Sequence, residues 1–307
     1  MDFNFDYLRT FLCVAQSGSI SKASEKLFLT QPAVSSTIKK LEDQLDVVLL
    51  NRSNKGVELT DKGLILYSAV KLAFDLIDSS ISSLKTSERA LFGNLNICAT
   101  ESPLYHFLPK ILGEFQKNYP NVKINIKGSA TSDCIASLID GKADLAFLVS
   151  PLHLKKSLAY TKLMDLQDVF CYSHEAYPQL NDRKLSLLDL VSYPIICVEE
   201  GTSAREHLKS FFATQGLELE PAFSVRTSTV VLELVKNGMG IGVVPKNFLH
   251  ADGVKKVNTC FTIPMRETYL AINRRFPQSK ICSIFIEYVK ESIRSLQEER
   301  FLMDDTN

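Results

Sequence analysis

The stretch that decides the fold is residues 30–45, TQPAVSSTIKKLEDQL. Its apolar residues Val34, Ile38, Leu41 and Leu45 recur at spacings of 4, 3 and 4, which places them on one stripe of a helix. At about 100° per residue, Pro32, Ser35, Ser36, Lys39 and Asp43 fall on the opposite stripe. Thr30 suits the N-cap, and Pro32 lies in the first turn, where its missing N–H removes no helix bond. A short helix buried on one side, with small polar and basic groups on the other, fits a DNA major groove. An ordinary amphipathic surface helix shows the same pattern, so its neighbours decide between the two.

Residues 5–17 read as a helix with Leu8, Phe11, Leu12 and Ala15 on one face, stopped by Gly18. Ser21 is expected to cap a short helix over 22–27 with Ala23 and Leu27 inward, and Phe28-Leu29 to turn the corner into residue 30. Two short helices joined by a tight corner, with a third packed beneath, make a helix-turn-helix. Leu49-Leu50, a polar run over 51–56 and Val57-Glu58-Leu59 then form a hairpin whose tip carries Arg52, Asn54 and Lys55. A solvated turn is the usual explanation of such a hairpin, but directly after a helix-turn-helix it suits a wing touching phosphates.

Thr60 should cap a long helix. Along it Tyr67, Val70, Phe74, Ile77, Ile81 and Leu84 are spaced 3, 4, 3, 4, 3, with Lys71, Asp75, Asp78 and Lys85 off the line. One helix over 60–88 would span roughly 40 Å. The seam fits pairing of two copies better than packing on its own domain, because it is narrow and DNA readers of this kind work in pairs.

After Arg89 the pattern becomes β-α-β-α-β: strands at 95–99, 122–126 and 144–149, helices at 104–118 and 133–140. A second set follows, with strands at 158–164, 168–173, 193–198, 222–226, 240–244 and 265–273 and helices at 204–215, 229–237 and 278–296. The chain is therefore α+β. It divides into a winged helix-turn-helix (1–60), a linker helix for dimerisation (61–90) and a two-lobed α/β domain (91–300). Lobe I takes about 93–161 and 266–300, lobe II about 162–265, and the polar tail 298–307 is expected to be mobile.

Lys and Arg balance Asp and Glu at 35 each, so any DNA binding must come from a patch. Residues 20–40 supply one, with a net charge of +3. The longest apolar runs are strand-length, which predicts no membrane span, and the acidic start MDFNFDYLRT does not look like a secretory signal. Seven cysteines without close clustering point to free thiols in a reducing cytoplasm. Cys98 and Cys197 fall in predicted strands and read as buried thiols. His106, His153, His174, His207 and His250 are scattered without metal-ligand spacing, so no metal is expected. NGMGIG at 237–242 follows a helix and leads into a strand, the reverse of a phosphate loop.

The segments LRTFLCVAQSGSISKASEKLFLTQPAVSSTIKKLEDQL (8–45) and LLNRSNKGVELTDKG (49–63) resemble the DNA-binding domain of LysR-type transcriptional regulators. The resemblance continues through SPLYHFLPKILGEFQKNYP (102–120) and VKNGMGIGVVP (235–245). It implies a winged helix-turn-helix, a dimerising linker helix and an effector domain like a type 2 periplasmic binding protein. It also implies a homotetramer on double-stranded promoter DNA, RNA polymerase as a further partner, and neither cofactor nor catalysis. Carried over by position, Thr30, Gln31, Pro32, Ser35 and Ser36 would face bases and nearby phosphates. Lys39, Lys40 and Arg52 would lie on the backbone, and Ser21, Lys22 and Lys55 are further candidate DNA contacts. Ser36 stands where the family often has arginine, which shortens the cationic reach into the groove and leaves Gln31 to pair with adenine. The peroxide-sensing branch needs a second cysteine shortly beyond the Cys197 region. None occurs before Cys260, so no disulfide switch is expected there.

Ligands of such α/β sheets sit beyond the carboxyl ends of strands, at helix N-termini. That rule selects Thr100, Ser102, Ser129, Thr131 and Val149 from the first lobe and Thr202, Thr227 and Ser228 from the second. Free N–H groups and the helix dipole there favour a small anion or carboxylate, although Ser and Thr also serve simply as N-caps. The resemblance supports the same positions, Ser102 and Ser129 most strongly. Arg205 and Arg226 are nearby basic residues. A solute-binding protein would need an export signal and no DNA reader, and an enzyme would need a nucleophile with a base, a metal site or paired carboxylates. The sequence offers none of these and fits a regulator instead.

Overall fold

In the computed structural model, residues 4–53, 56–84, 91–249 and 252–304 are described. Helix α1 (Phe5–Ser17) starts at Asn4, whose side chain accepts the Asp6 N–H, and stops at Gly18, where φ is 62°. Helix α2 (Ile20–Leu27) is capped by Ser19 rather than Ser21, which lies in its first turn. The earlier start brings Ile20 against the core. Phe28 ends α2 in the left-handed conformation, and α3 (Gln31–Leu45) opens at Thr30, whose hydroxyl accepts the Ala33 N–H at 3.4 Å. Val34, Ile38 and Leu41 pack with Phe11, Val14, Ala23 and Leu49 into one core. Strands β1 (Leu50–Ser53) and β2 (Gly56–Leu59) form the antiparallel hairpin, while Asn54 and Lys55 at its tip lie outside the described residues. Glu42 fastens it to α3 by accepting the Leu49 and Leu50 N–H groups at 2.7 and 3.1 Å.

Helix α4 (Asp61–Leu84) begins with Thr60 capping Gly63 N. It runs so close to the hairpin that a Cβ on Gly63 would lie 2.0 Å from Leu49 O. The expected seam is corrected at its first half. Tyr67 and Val70 are buried within the chain, and Phe74 is half-buried with its ring edge-on to Phe5. Tyr67 Oη donates to Gly141 O at 3.4 Å, and Lys71 Nζ lies 2.6 Å from Asp144 Oδ1. That face of α4 is taken up by its own protomer. Spacing identifies an apolar stripe but not the body that covers it. Ile77 and Ile81 are exposed, and with Ile65, Ala69 and Ala73 they form an exposed line at four-residue intervals. The Leu84 side chain and residues 85–90 lie outside what is described.

Lobe I is built from β3 (Gly93–Ala99), α5 (Glu101–His106), α6 (Leu108–Asn118), β4 (Val122–Gly128), α7 (Thr131–Ile139), β5 (Leu145–Val149) and β6 (Leu158–Leu166). The single helix expected over 104–118 is two, broken at Phe107 beside Pro109, which has no N–H to continue a helix. The chain then enters lobe II: β7 (Asp168–Ser173), α8 (Leu187–Leu190), β8 (Ile195–Val198), α9 (Ser203–Thr214), β9 (Phe223–Val225), α10 (Ser228–Lys236), β10 (Ile241–Pro245) and β11 (Val254–Lys256). It returns through β12 (Arg266–Asn273) and α11 (Lys280–Asp304). Residues 298–304 thus continue a helix instead of forming a mobile tail, and 305–307 are not described.

The lobe I sheet has the order β4-β3-β5-β12-β6, and lobe II has β11-β7-β10-β8-β9. Strands β4, β3 and β5 run parallel and β12 antiparallel to β5. Because β6 pairs with β12 as far as Leu166, the first passage between sheets falls at Gln167, later than the Thr161 expected. The second falls at Met265. The two passages are clamped together: Arg266 donates to Asp168 through Nε at 2.6 Å and Nη2 at 2.7 Å, with both side chains buried.

The free-thiol reading is corrected at one pair. Cys98 at the end of β3 and Cys134 on α7 are joined as a disulfide, with Cα atoms 5.3 Å apart. Thirty-six residues separate them in sequence, so spacing could not reveal it. Cys13, Cys171, Cys197, Cys260 and Cys282 are free.

Candidate DNA interface and effector cleft

On the helix-turn-helix, Ser21, Lys22, Thr30, Gln31, Pro32, Ser36, Lys39, Lys40 and Arg52 are exposed and Ser35 is half-buried, while Lys55 is not described. The core side of α3 fixes this arrangement: with Val34, Ile38 and Leu41 turned in, Ser35, Ser36 and Lys39 must turn out. Ser35, Ser36, Lys39 and Arg52 line one open groove between α3 and the hairpin, together with Glu42, Asp43 and Asp46. Phe28, at the corner before α3, is 95% exposed. Its place in the sequence suggested only a turn.

In the effector domain, a cavity of about 470 Å³ lies between the lobes. All eight positions selected by the strand-end rule line it: Thr100, Ser102, Ser129, Thr131 and Val149 from lobe I, Thr202, Thr227 and Ser228 from lobe II. Their local geometry differs. Thr202 accepts the Arg205 N–H at 3.2 Å and Thr227 the Val230 N–H at 3.3 Å, so each caps its helix. Helix α7 has Ala130 at its N-cap and no side-chain cap, with Ser129 and Thr131 on either side. Thr100 stands at the N-cap of α5 without capping it and bonds instead to Phe147 O at 3.4 Å.

Arg226 lines the cavity, but Arg205 does not. Arg205 is buried in the first turn of α9, with Nη1 2.5 Å from Cys197 Sγ. Burial pushes the Cys197 thiol up, against the opposing pull of that guanidinium. Four residues that shape the cleft escaped the sequence reading: Glu101, Tyr105, Asp168 and Arg266. Glu101 from lobe I accepts the Ser228 N–H at 2.9 Å and the Thr229 N–H at 3.4 Å on lobe II. Tyr105 stacks on Phe248 with ring centroids 4.0 Å apart. Partners this remote in sequence leave no local signal.

No described helix is long and apolar enough to cross a membrane, and the described residues contain no group of three or more His, Cys, Asp or Glu able to hold a metal. Known proteins agree with this architecture. Residues 5–64 match the family described as "Bacterial regulatory helix-turn-helix protein, lysR family", and residues 88–294 match "LysR substrate binding domain". The "HTH-type transcriptional regulator CysL" of Bacillus subtilis is 27% identical over 95% of this chain and 98% of its own. The "HTH-type transcriptional activator CmpR" of Synechocystis is 26% identical over 91% and 92%. Among solved structures, a full-length OxyR variant from Pseudomonas aeruginosa has a TM-score of 0.68 at 20% identity, covering 96% of this chain and 95% of that one. Full-length CbnR in complex with its target DNA has a TM-score of 0.56 at 21% identity, covering 95% and 100%. With both halves matched over most of their length, the chain belongs to the LysR family of DNA-binding transcriptional regulators, with an effector-binding domain behind its winged helix-turn-helix.

Proposed function

We propose that this regulator takes a small anion, a carboxylate foremost, into the inter-lobe cavity and thereby alters how its paired helix-turn-helix units hold or bend promoter DNA. The supporting observation is the convergence of all eight strand-end residues on one cavity, where α7 presents first-turn N–H groups with no side-chain cap. Ser102, Ser129 and Thr131 are the hydroxyls best placed to orient the ligand, and Arg226 brings a basic side chain to the same cavity from lobe II. Val149 makes the strand end apolar. On the DNA side, Thr30, Gln31, Pro32, Ser35 and Ser36 meet bases and nearby phosphates, while Ser21, Lys22, Lys39, Lys40, Arg52 and Lys55 hold the backbone. Dimerisation uses the outer line of α4, Ile65, Ala69, Ala73, Ile77 and Ile81, whose two alanines permit close approach of a second helix, and dimers pair into a tetramer.

A mobility-shift titration on the DNA upstream of the gene tests the first half: binding should weaken steeply with salt, and Lys39→Ala should lower the salt slope by about one. No shift at low salt would overturn it. A thermal-shift screen of small carboxylic acids tests the second half. An acid that stabilises the wild type should lose most of its effect on Ser102→Ala, and an equal response in both proteins would remove Ser102 from the ligand set.

A further inference from the structure

Helix α10 opens onto the cavity, yet its N-terminus is already filled from within. Its first three N–H groups all have acceptors: Ser228 N and Thr229 N donate to the Glu101 carboxylate, and Val230 N to Thr227 Oγ1. Val231 N makes the first regular bond of the helix, to Thr227 O at 3.1 Å, so the three open donors of the first turn, Ser228, Thr229 and Val230, are all satisfied. Glu101 belongs to the opposite lobe. One turn further along α5, Tyr105 stacks on Phe248 in the turn after β10, so two side chains four residues apart on α5 grip lobe II.

We propose that Glu101 is a tethered competitor in the effector cleft and a determinant of its specificity. Its carboxylate occupies the one place on α10 where an incoming anion would be held and closes lobe II on lobe I while it stays there. An effector anion is therefore directed to α7 and its hydroxyls unless it displaces Glu101, and displacement frees lobe II to move. This rests on the cavity being the effector site, and the test separates the two.

Glu101→Ala should speed hydrogen exchange of the Ser228 and Thr229 amides by about tenfold and leave Val235, deep in α10, unchanged. Equal rates in both proteins would overturn the latch without reference to any ligand. With inorganic sulfate as the probe, Glu101→Ala should bind about fivefold tighter than wild type by calorimetry. Ser228→Pro in the same background should cancel that gain. It removes the freed donor at the first helical position, and Thr227 already has the extended backbone (φ −133°, ψ 151°) that a following proline requires. Faster exchange with unchanged sulfate affinity would overturn the competitor role. Glu101→Gln, of the same shape without the charge, should fall between the two proteins, and a glutamine variant behaving as wild type would show that charge is not what holds α10. If no small acid stabilises wild type, the anion reading of the cavity fails while the exchange result still decides the latch.

Discussion

The two lobes bring the same kind of residue to the cleft and use it differently. In lobe II, Thr202 and Thr227 spend their hydroxyls on their own helices, and Glu101 fills what remains of α10. In lobe I, α7 starts at an alanine cap and no side chain caps α5. Lobe I is also the lobe tied to the linker helix, through Tyr67–Gly141 and Lys71–Asp144. A hydroxyl ahead of a helix thus means structure in one lobe and an available group in the other. Lobe I is the half tied to α4, and lobe II is held to it by the Arg266–Asp168 clamp and the α5 grip.

Breaking the clamp should have the largest effect. Arg266→Ala leaves Asp168 buried and unpaired, with an expected loss of about 3–5 kcal/mol in urea unfolding of the effector domain. A near-neutral result would mean the lobes hold together without it. Next comes the tie to α4. Lys71→Ala should cost roughly 2 kcal/mol, less than a fully buried pair because some solvent reaches both groups. Burial opposes the Lys71 charge, but Asp144 more than compensates and holds its pKa above the ordinary lysine value. The contribution of the Lys71 charge is therefore present below that ordinary value and is lost as the pH rises through the raised one, in strong alkali, so thermal midpoints near neutral pH should show no titration of Lys71.

The caps sharpen the comparison on a finer scale. Thr202→Ala and Thr227→Ala should each cost about 1 kcal/mol, which at this domain size lowers the thermal midpoint by about 2–4 °C. Ser102→Ala and Ser129→Ala should stay within about 0.5 kcal/mol, because neither hydroxyl caps a helix. If the serines proved as costly as the threonines, the division of labour between the lobes would be wrong.

Much of the fold was readable because periodicity and turn chemistry are local. Residues 5–17 and 168–173 match α1 and β7, and Thr30 caps α3 as its position suggested. The eight strand-end residues were found by a topological rule, and the structure brings them around one cavity. The misreadings share a cause. Tyr67 and Val70 looked like a seam because an apolar stripe carries no label for its partner, and here both are buried within the chain, Tyr67 against Gly141 and the helix-turn-helix core. Cys98 and Cys134, Arg266 and Asp168, and Glu101 and Ser228 are far apart in the chain, so neither spacing nor composition could join them.

By itself, then, the sequence determined the helix-turn-helix with its outward polar face, the alternation of strands and helices in two lobes, and the hydroxyl-rich helix starts. Each follows from backbone geometry acting over a few residues. The tertiary structure alone decided which stripe of α4 stays free, which helix starts are already occupied and what locks the lobes together. Those depend on side chains meeting from remote parts of the chain, where one carboxylate in the right place takes up the open donors of a helix start.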